Sequence, residues 1–443
     1  AYQAIHRPGS LHEMGEARRR LVFDELLRIQ LALVQRKVDL ERTSVGIAHD
    51  VGVTALLDQF RSGLGFRMTA AQDRVVGEIL ADLARPAPMH RLLQGDVGSG
   101  KTVVAVAAML AAVQGGHQAA VMVPTEVLAE QHHATISGLL DEMTVSDPAT
   151  LLGHRPLKVD LLTSHTTAGE RRRIGSQLLA GGVDVLIGTH AIIQEGVEFG
   201  SLGVVVIDEQ HRFGVEQRAA LRDKNRDGTA PDVLVMTATP IPRTAAMTVY
   251  GDLDISAIDQ LPPGRQSVRT RWVESTRREA AYELVRKQVQ EGRQAFIVCP
   301  LVEESEAVQS RAAVKEHDRL SAQVFPELRV GLLHGRMRLK EKEVVMEGFQ
   351  ANDLDILVAT AVVEVGIDVA NATVMLIEGA DRFGLAQLHQ FRGRVGRGQH
   401  KSYCLLLSDS PSEVAKERLG LFHQRRVIDG AGRREDHLVG AVM

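Results

Sequence analysis

The amino-acid sequence predicts an α/β protein of two tandem lobes with parallel sheets, preceded by a helical linker segment. Three observations carry this expectation. From about Phe66 to Leu253, short runs rich in β-branched residues and Leu alternate with helical stretches. Such a pattern marks buried parallel strands joined by crossover helices. After Gln260 to Gln266, a break holding Pro262-Pro263-Gly264, the alternation restarts. Finally, a glycine-rich segment, Gly95 to Thr102, sits between an apolar strand and an apolar helix.

Taken in order, Glu16 to Val38 reads as helix, with Leu21, Val22, Leu26, Leu27, Ile29, Leu31, Leu33 and Val34 at near-helical spacing. Nothing in the sequence decides which lobe this segment packs on. The strands expected in the first lobe are 91–94, 119–123, 159–162, 183–187, 204–207 and 233–236. A helix over 275–291 opens the second, followed by strands at 295–298, 330–333, 356–359, 374–377 and 402–407. The expected organisation is a helical linker over 1–60, lobe 1 over 61–258, lobe 2 over 265–410 and a tail over 411–443.

Composition narrows the function classes. Lys+Arg number 52 against 56 Asp+Glu, for a net charge of −4, so any nucleic-acid contact must be local rather than a global basic field. The longest apolar run, Val103 to Val113, has 11 residues, short of the roughly 18 that a membrane span needs. Two cysteines, Cys299 and Cys404, make neither a disulfide framework nor a zinc site. A cytoplasmic, monomeric protein without membrane attachment is expected. The chain opens on Ala1 rather than Met, which is expected of a part of something longer.

Gly95-Asp96-Val97-Gly98-Ser99-Gly100-Lys101-Thr102 fits the phosphate-loop pattern at every fixed position, in the strand-then-helix context that the pattern requires. Gly95, Gly98 and Gly100 let backbone N–H groups wrap phosphates, and the following helix N-terminus favours negative charge. Lys101 is expected to reach the β- and γ-phosphates of ATP, and the Thr102 hydroxyl to hold Mg²⁺. The strand 204–207 runs into Asp208-Glu209-Gln210-His211. Asp208 suits the second Mg²⁺ contact, and Glu209 is placed to orient or deprotonate the attacking water. The closely spaced arginines of Gln387 to Arg397 suit fingers that neutralise a transferring phosphoryl group, reaching from the second lobe to ATP held by the first.

The ordered set resembles the superfamily-two helicases and translocases, and among them the RecG branch-migration helicases, over roughly residues 16 to 419. The segments that carry the resemblance are Phe66 to Gln72, Gly95 to Thr102, Pro124 to His132, Gly188 to His190, Asp208 to Gly214, Thr237 to Thr244, His334 to Met337, Val358 to Ala370 and Gln387 to Gly398. It implies two RecA-like lobes and ATP hydrolysis with Mg²⁺ that drives branch migration or fork regression of branched DNA (forks, Holliday junctions) in recombination and repair. By the same resemblance, Gln72 reads the adenine edge, while Phe66 or Arg67 packs on the base. Gly366 and Asp368 lie near the nucleotide; Arg394 and Arg397 are the arginine fingers. Gln210, His211, Thr237, Thr239 and Gln390 couple nucleotide to lobe movement. Pro124, Thr125, Gly188, Thr189, His334, Gly335 and Thr360 line the DNA track, contacting phosphates without reading sequence. Gln210 favours RecG over the similar module of the Mfd translocases, which stands as the alternative.

Other residues carry plainer expectations. Arg18 to Arg20 and Arg171 to Arg173 read as solvated helix faces, and His132 and His133 as surface or cap histidines. Cys299 and Cys404 read as buried hydrophobes, and Trp272 as packed at the start of lobe 2. The family's wedge domain is expected to be missing upstream, since the chain opens inside the linker that follows it. The stretch after Leu419 departs from the family's helical hairpin and is expected to be poorly ordered. A truncated copy that binds ATP and DNA without motor action is therefore a further alternative.

Overall fold

The computed structural model describes residues 1–424 apart from 148–149, 151–152, 195, 209–224, 226–227, 239–252, 263–267, 300–305, 362–368, 397, 399 and 409–411. The chain divides into two compact units, residues 1–95 with 101–258 and residues 96–100 with 259–443.

In the first unit a long helix, α1 (Leu11–Thr43), leads to α2 (Ala55–Gly63) and α3 (Ala70–Leu83). Then come β1 (His90–Gly95), α4 (Lys101–Gln114), β2 (Gln118–Met122), α5 (Glu126–Leu140), β3 (Val159–Leu162), α6 (Ala168–Leu179), β4 (Val185–Gly188), β5 (Leu202–Asp208), β6 (Asp232–Thr237) and β7 (Asp254–Ile258). A small antiparallel pair, Thr144–Ser146 with His154–Pro156, stands apart from the main sheet. The seven strands of that sheet are all parallel, in the order β3-β4-β2-β5-β6-β1-β7.

Each central strand is apolar throughout because helices cover both faces. Every described residue of β2, β4 and β6 is buried. The α4 helix, Lys101 to Gln114, is equally apolar around its circumference, with ten buried residues from Val103 to Val113, as suits a helix enclosed by the sheet and its neighbours. Sequence placed the central strands within a residue or two. It missed β7, the small antiparallel pair and the opening strand of the second unit.

The N-terminal segment is fastened to the first unit. Lys37 Nζ donates to both carboxylate oxygens of Asp254, at 2.8 Å each. Gly46 forms a parallel bridge with Ala230, and its N–H donates to Pro86 O. His49, 4% exposed, pairs through Nε2 with Asp232 Oδ2 at 3.0 Å. Asp232 also accepts the Met89 N–H, and burial raises its carboxyl above the usual range.

The second unit holds β8 (Arg269–Glu274), α7 (Arg278–Gln290), β9 (Gln294–Val298), α8 (Glu306–Arg319), β10 (Val330–Leu333), α9 (Leu339–Gln350), β11 (Ile356–Ala359), β12 (Ala372–Ile377), α10 (Leu385–Gly393), β13 (Tyr403–Ser408) and α11 (Glu413–Gln424). Its six strands are again parallel, ordered β8-β13-β12-β9-β11-β10. Phe296, Phe349, Phe383, Phe391 and Phe422 pack one face of this sheet, and Tyr282, Val285, Leu320 and Phe325 the other. The chain is thus two parallel-sheet, RecA-like lobes with N-terminal helices. Among the described residues no helix is long and apolar enough to cross a membrane.

Candidate active site

In parallel sheets, ligand sites form beyond the carboxyl ends of the strands. The first sheet sets β5, β6 and β1 side by side, in registers that pair Asp208 with Met236 and Gln94 with Thr237. One carboxyl edge therefore carries Asp208, Thr237 and the start of the phosphate loop together. Gly98 and Gly100 take φ of +75° and +86°, a conformation that side-chain-bearing residues rarely adopt. The loop closes with a Ser99 N–H to Asp96 O bond of 3.0 Å and enters α4 at Lys101. Lys101 Nζ donates to Gly95 O at 2.8 Å, so the ammonium folds back across the loop mouth. Thr102 occupies the first turn of α4. Thr237 is 5% exposed.

Gln72 closes a capping box at the start of α3. Its Oε1 accepts the Thr69 N–H at 2.7 Å, and Thr69 Oγ1 accepts the Gln72 N–H at 3.2 Å. The Gln72 residue is 1% exposed, while Phe66 is 47% exposed.

His132 departs from the sequence expectation. It is neither a surface nor a capping histidine: its side chain is 11% exposed, and Nε2 lies 2.9 Å from Asp208 Oδ2. The two residues are 76 apart in sequence, so local spacing gives no sign of the pair.

Two further carboxyl-edge groups form, one in each unit. In the first, β2 and β4 are neighbours, and Val123 N–H donates to Gly188 O at 3.0 Å. Pro124, Thr125, Gly188 and Thr189 thus follow adjacent strand ends. Thr125 caps α5 by accepting the Leu128 N–H. Glu126, next in that helix, accepts the Ser164 N–H and hydroxyl and pairs with His165 Nε2, tying the turn after β3 to the same shelf. In the second unit β10 and β11 are neighbours, and Thr360 N–H donates to Leu333 O. His334, Gly335 and Thr360 therefore lie together. Lys342 Nζ donates to Gly335 O, and burial, followed by the charges of Lys342 and Arg336, lowers the His334 pKa below the usual histidine range.

The arginine segment is divided. Arg392, 9% exposed, bonds His389 Nδ1 at 2.9 Å and stacks 5.0 Å over the Phe422 ring, a packing role. Arg394 is the C-cap residue of α10 and is half-buried; Gln390 is 5% exposed. Glu209, Gln210, His211, Thr239, Gly366, Asp368 and Arg397 lie outside the described residues.

The tail expected to be poorly ordered after Leu419 instead packs at its start, since α11 runs to Gln424 and Phe422 is buried in the core of the second unit, while residues 425–443 lie outside those described. Arg173 bonds Asp160 and Gln177, while Arg171 and Arg172 donate to backbone carbonyls. Burial pushes the Cys299 and Cys404 thiols up to about 12, so both behave as apolar side chains. Trp272 packs against the core of the second unit.

Residues 69–248 match the DEAD/DEAH box helicase domain, and residues 276–399 the helicase conserved C-terminal domain. The chain is 51% identical to the ATP-dependent DNA helicase RecG of Synechocystis, over 96% of this chain and 49% of that protein. With the Bacillus subtilis protein of the same name the identity is 47%, over 96% of this chain and 60% of the relative. A structure of RecG bound to a three-way DNA junction superposes with a TM-score of 0.80 at 44% identity, covering 96% of this chain and 54% of that one. Both helicase domains match in order, and relatives at this level of identity align across nearly all its residues while it spans only about half of theirs: the chain belongs to the RecG helicases.

Proposed function

We propose that the chain is the ATP-driven motor core of a branched-DNA translocase, acting in branch migration or fork regression during recombination and repair. The observation that supports this most is the shared carboxyl edge of β5, β6 and β1, where Asp208, Thr237 and the phosphate loop converge. The relatives' name and the junction-bound neighbour agree with it.

In this reading Lys101 takes the β- and γ-phosphates of ATP, while the N–H groups of the loop hold their oxygens. Thr102 and Asp208, a hydroxyl and a carboxylate, are the hard oxygen donors that Mg²⁺ prefers and would hold it. The bound cation would draw charge from the phosphate oxygens. Glu209 orients or deprotonates the attacking water, and Arg394 and Arg397 neutralise charge on the transferring group. Gln72 and Phe66 face the base, with Gly366 and Asp368 near the nucleotide. Gln210, His211, Thr237, Thr239 and Gln390 transmit its state. The two groups of strand-end residues, Pro124, Thr125, Gly188 and Thr189 in one lobe and His334, Gly335 and Thr360 in the other, take the DNA backbone.

Steady-state ATP hydrolysis by this chain, without DNA, with linear duplex and with a synthetic fork, tests the reading. Stimulation by DNA is expected, lost in Lys101→Ala. Arg397→Ala should slow turnover by roughly 10³-fold, the lower end for a finger acting on the transition state, while ATP affinity changes much less. ATP binding without hydrolysis under any condition would instead mark a copy that binds ATP and DNA but does no motor work.

A further inference from the structure

The Asp208 side chain is held by a partner from another element. Its Oδ2 lies 2.9 Å from Nε2 of His132, with the two side chains 15% and 11% exposed. A carboxylate offers only acceptors, so the proton of this bond sits on Nε2. The terminal torsion of an aspartate is broad, and one N–H donor on one oxygen selects a narrow part of it. The donor is itself rigidly mounted. The α5 helix is capped at Thr125 and tied at Glu126 to Ser164 and His165, and its Leu128, Ala129, Ile136 and Leu140 are buried.

We infer that His132 is a positioning residue, whose Nε2–H sets the Asp208 carboxylate in the orientation that holds the divalent cation of the bound nucleotide. The inference rests on the ATP-hydrolysing reading of the same edge. Partners that orient a metal-binding group typically matter about 10–100-fold in metal affinity. No other residue of the Pro124 to His132 segment is assigned to the nucleotide. This one links the helix that begins at the proposed DNA shelf to the cation site.

The test is Mn²⁺ binding, followed by electron paramagnetic resonance of the free ion, to the full chain saturated with the non-hydrolysable analogue adenylyl imidodiphosphate. His132→Ala should weaken Mn²⁺ binding about 10-fold or more, and His132→Gln, whose amide N–H offers a donor at similar reach, should recover most of it. Should the alanine variant not fold, His132→Leu supplies the donor-free arm. Unchanged Mn²⁺ affinity in the donor-free variant overturns the inference, as does a loss that glutamine fails to restore, which is the signature of a merely structural histidine. Asp208→Asn separates the two levels. If it weakens Mn²⁺ binding while the donor-free His132 variant does not, only the role of His132 falls. If it too leaves binding intact, the cation reading of Asp208 falls, and the inference with it.

Discussion

At Gly188 the first lobe comes as close together as backbone allows. A Cβ built on this glycine would overlap the Leu162 carbonyl oxygen and approach Leu162 C at 3.0 Å and Ile192 Cγ1 at 3.2 Å. The obstacle is mostly main chain, which cannot swing aside as a flexible side chain would. Gly188→Ala should therefore destabilise the protein by about 1–3 kcal/mol, in the range of overpacked cores, read as a lower urea midpoint. An unchanged midpoint would refute the packing account. The residue scale also divides what sequence reveals from what it hides. The phosphate loop is contiguous, so its glycines, Lys101 and Thr102 can be picked out by spacing alone. The His132–Asp208 pair is made by two elements folding together, and a histidine with no neighbour at metal spacing carries no local signal.

At the scale of elements, legibility followed burial. Strands such as β2 and β6, enclosed on both faces, need an unbroken apolar run and were plain in the sequence. The two strands of the main sheets that were missed are edge strands. Arg269–Glu274 is exposed or half-buried at every position, and Asp254–Ile258 has only two buried positions, Ser256 and Ile258, the first of them polar, so neither presents an apolar run. The attachment of the N-terminal segment was equally hidden, because Lys37 and His49 find partners 217 and 183 residues away. One inter-element link carries a pH signature. Arg329, just before β10, grips Asp355, just before β11, through Nη2 to Oδ1 at 2.6 Å and Nε to Oδ2 at 3.1 Å, and its N–H donates to Oδ2. The side-chain bond from Arg329 holds the Asp355 carboxyl below the usual aspartate range. A depressed acid stabilises the fold above its unfolded pKa and loses that contribution as pH falls through the folded one. Asp355→Asn should thus lower the melting temperature at pH 7, and the deficit should shrink as both proteins are taken below the ordinary aspartate pKa. A deficit independent of pH would mean that shape, not charge, matters there.

For the whole molecule, the net charge of −4 sets the terms on which DNA can be held. Each phosphate neutralised by a cationic side chain releases counterions, so six to ten such contacts give a slope of log K against log salt of roughly −5 to −9 on duplex. The residues proposed for the track carry almost no charge. Pro124, Thr125, Gly188, Thr189, Gly335 and Thr360 offer backbone and hydroxyl groups. The exception is His334, and burial, followed by the charges of Lys342 and Arg336, lowers its pKa below the ordinary histidine value and so disfavours charge on the ring. Binding through these groups should therefore show a slope shallower than about −3, measured by fluorescence anisotropy of a labelled fork between 50 and 200 mM salt. The histidine adds a second arm. Because its pKa is lowered, the slope should be the same at pH 8 and pH 7, and should steepen by about 1 only when pH falls below the ordinary histidine range. A slope steeper than about −5 at pH 7 would show that lysines and arginines outside the two strand-end groups carry the DNA, and the track would have to be redrawn around them.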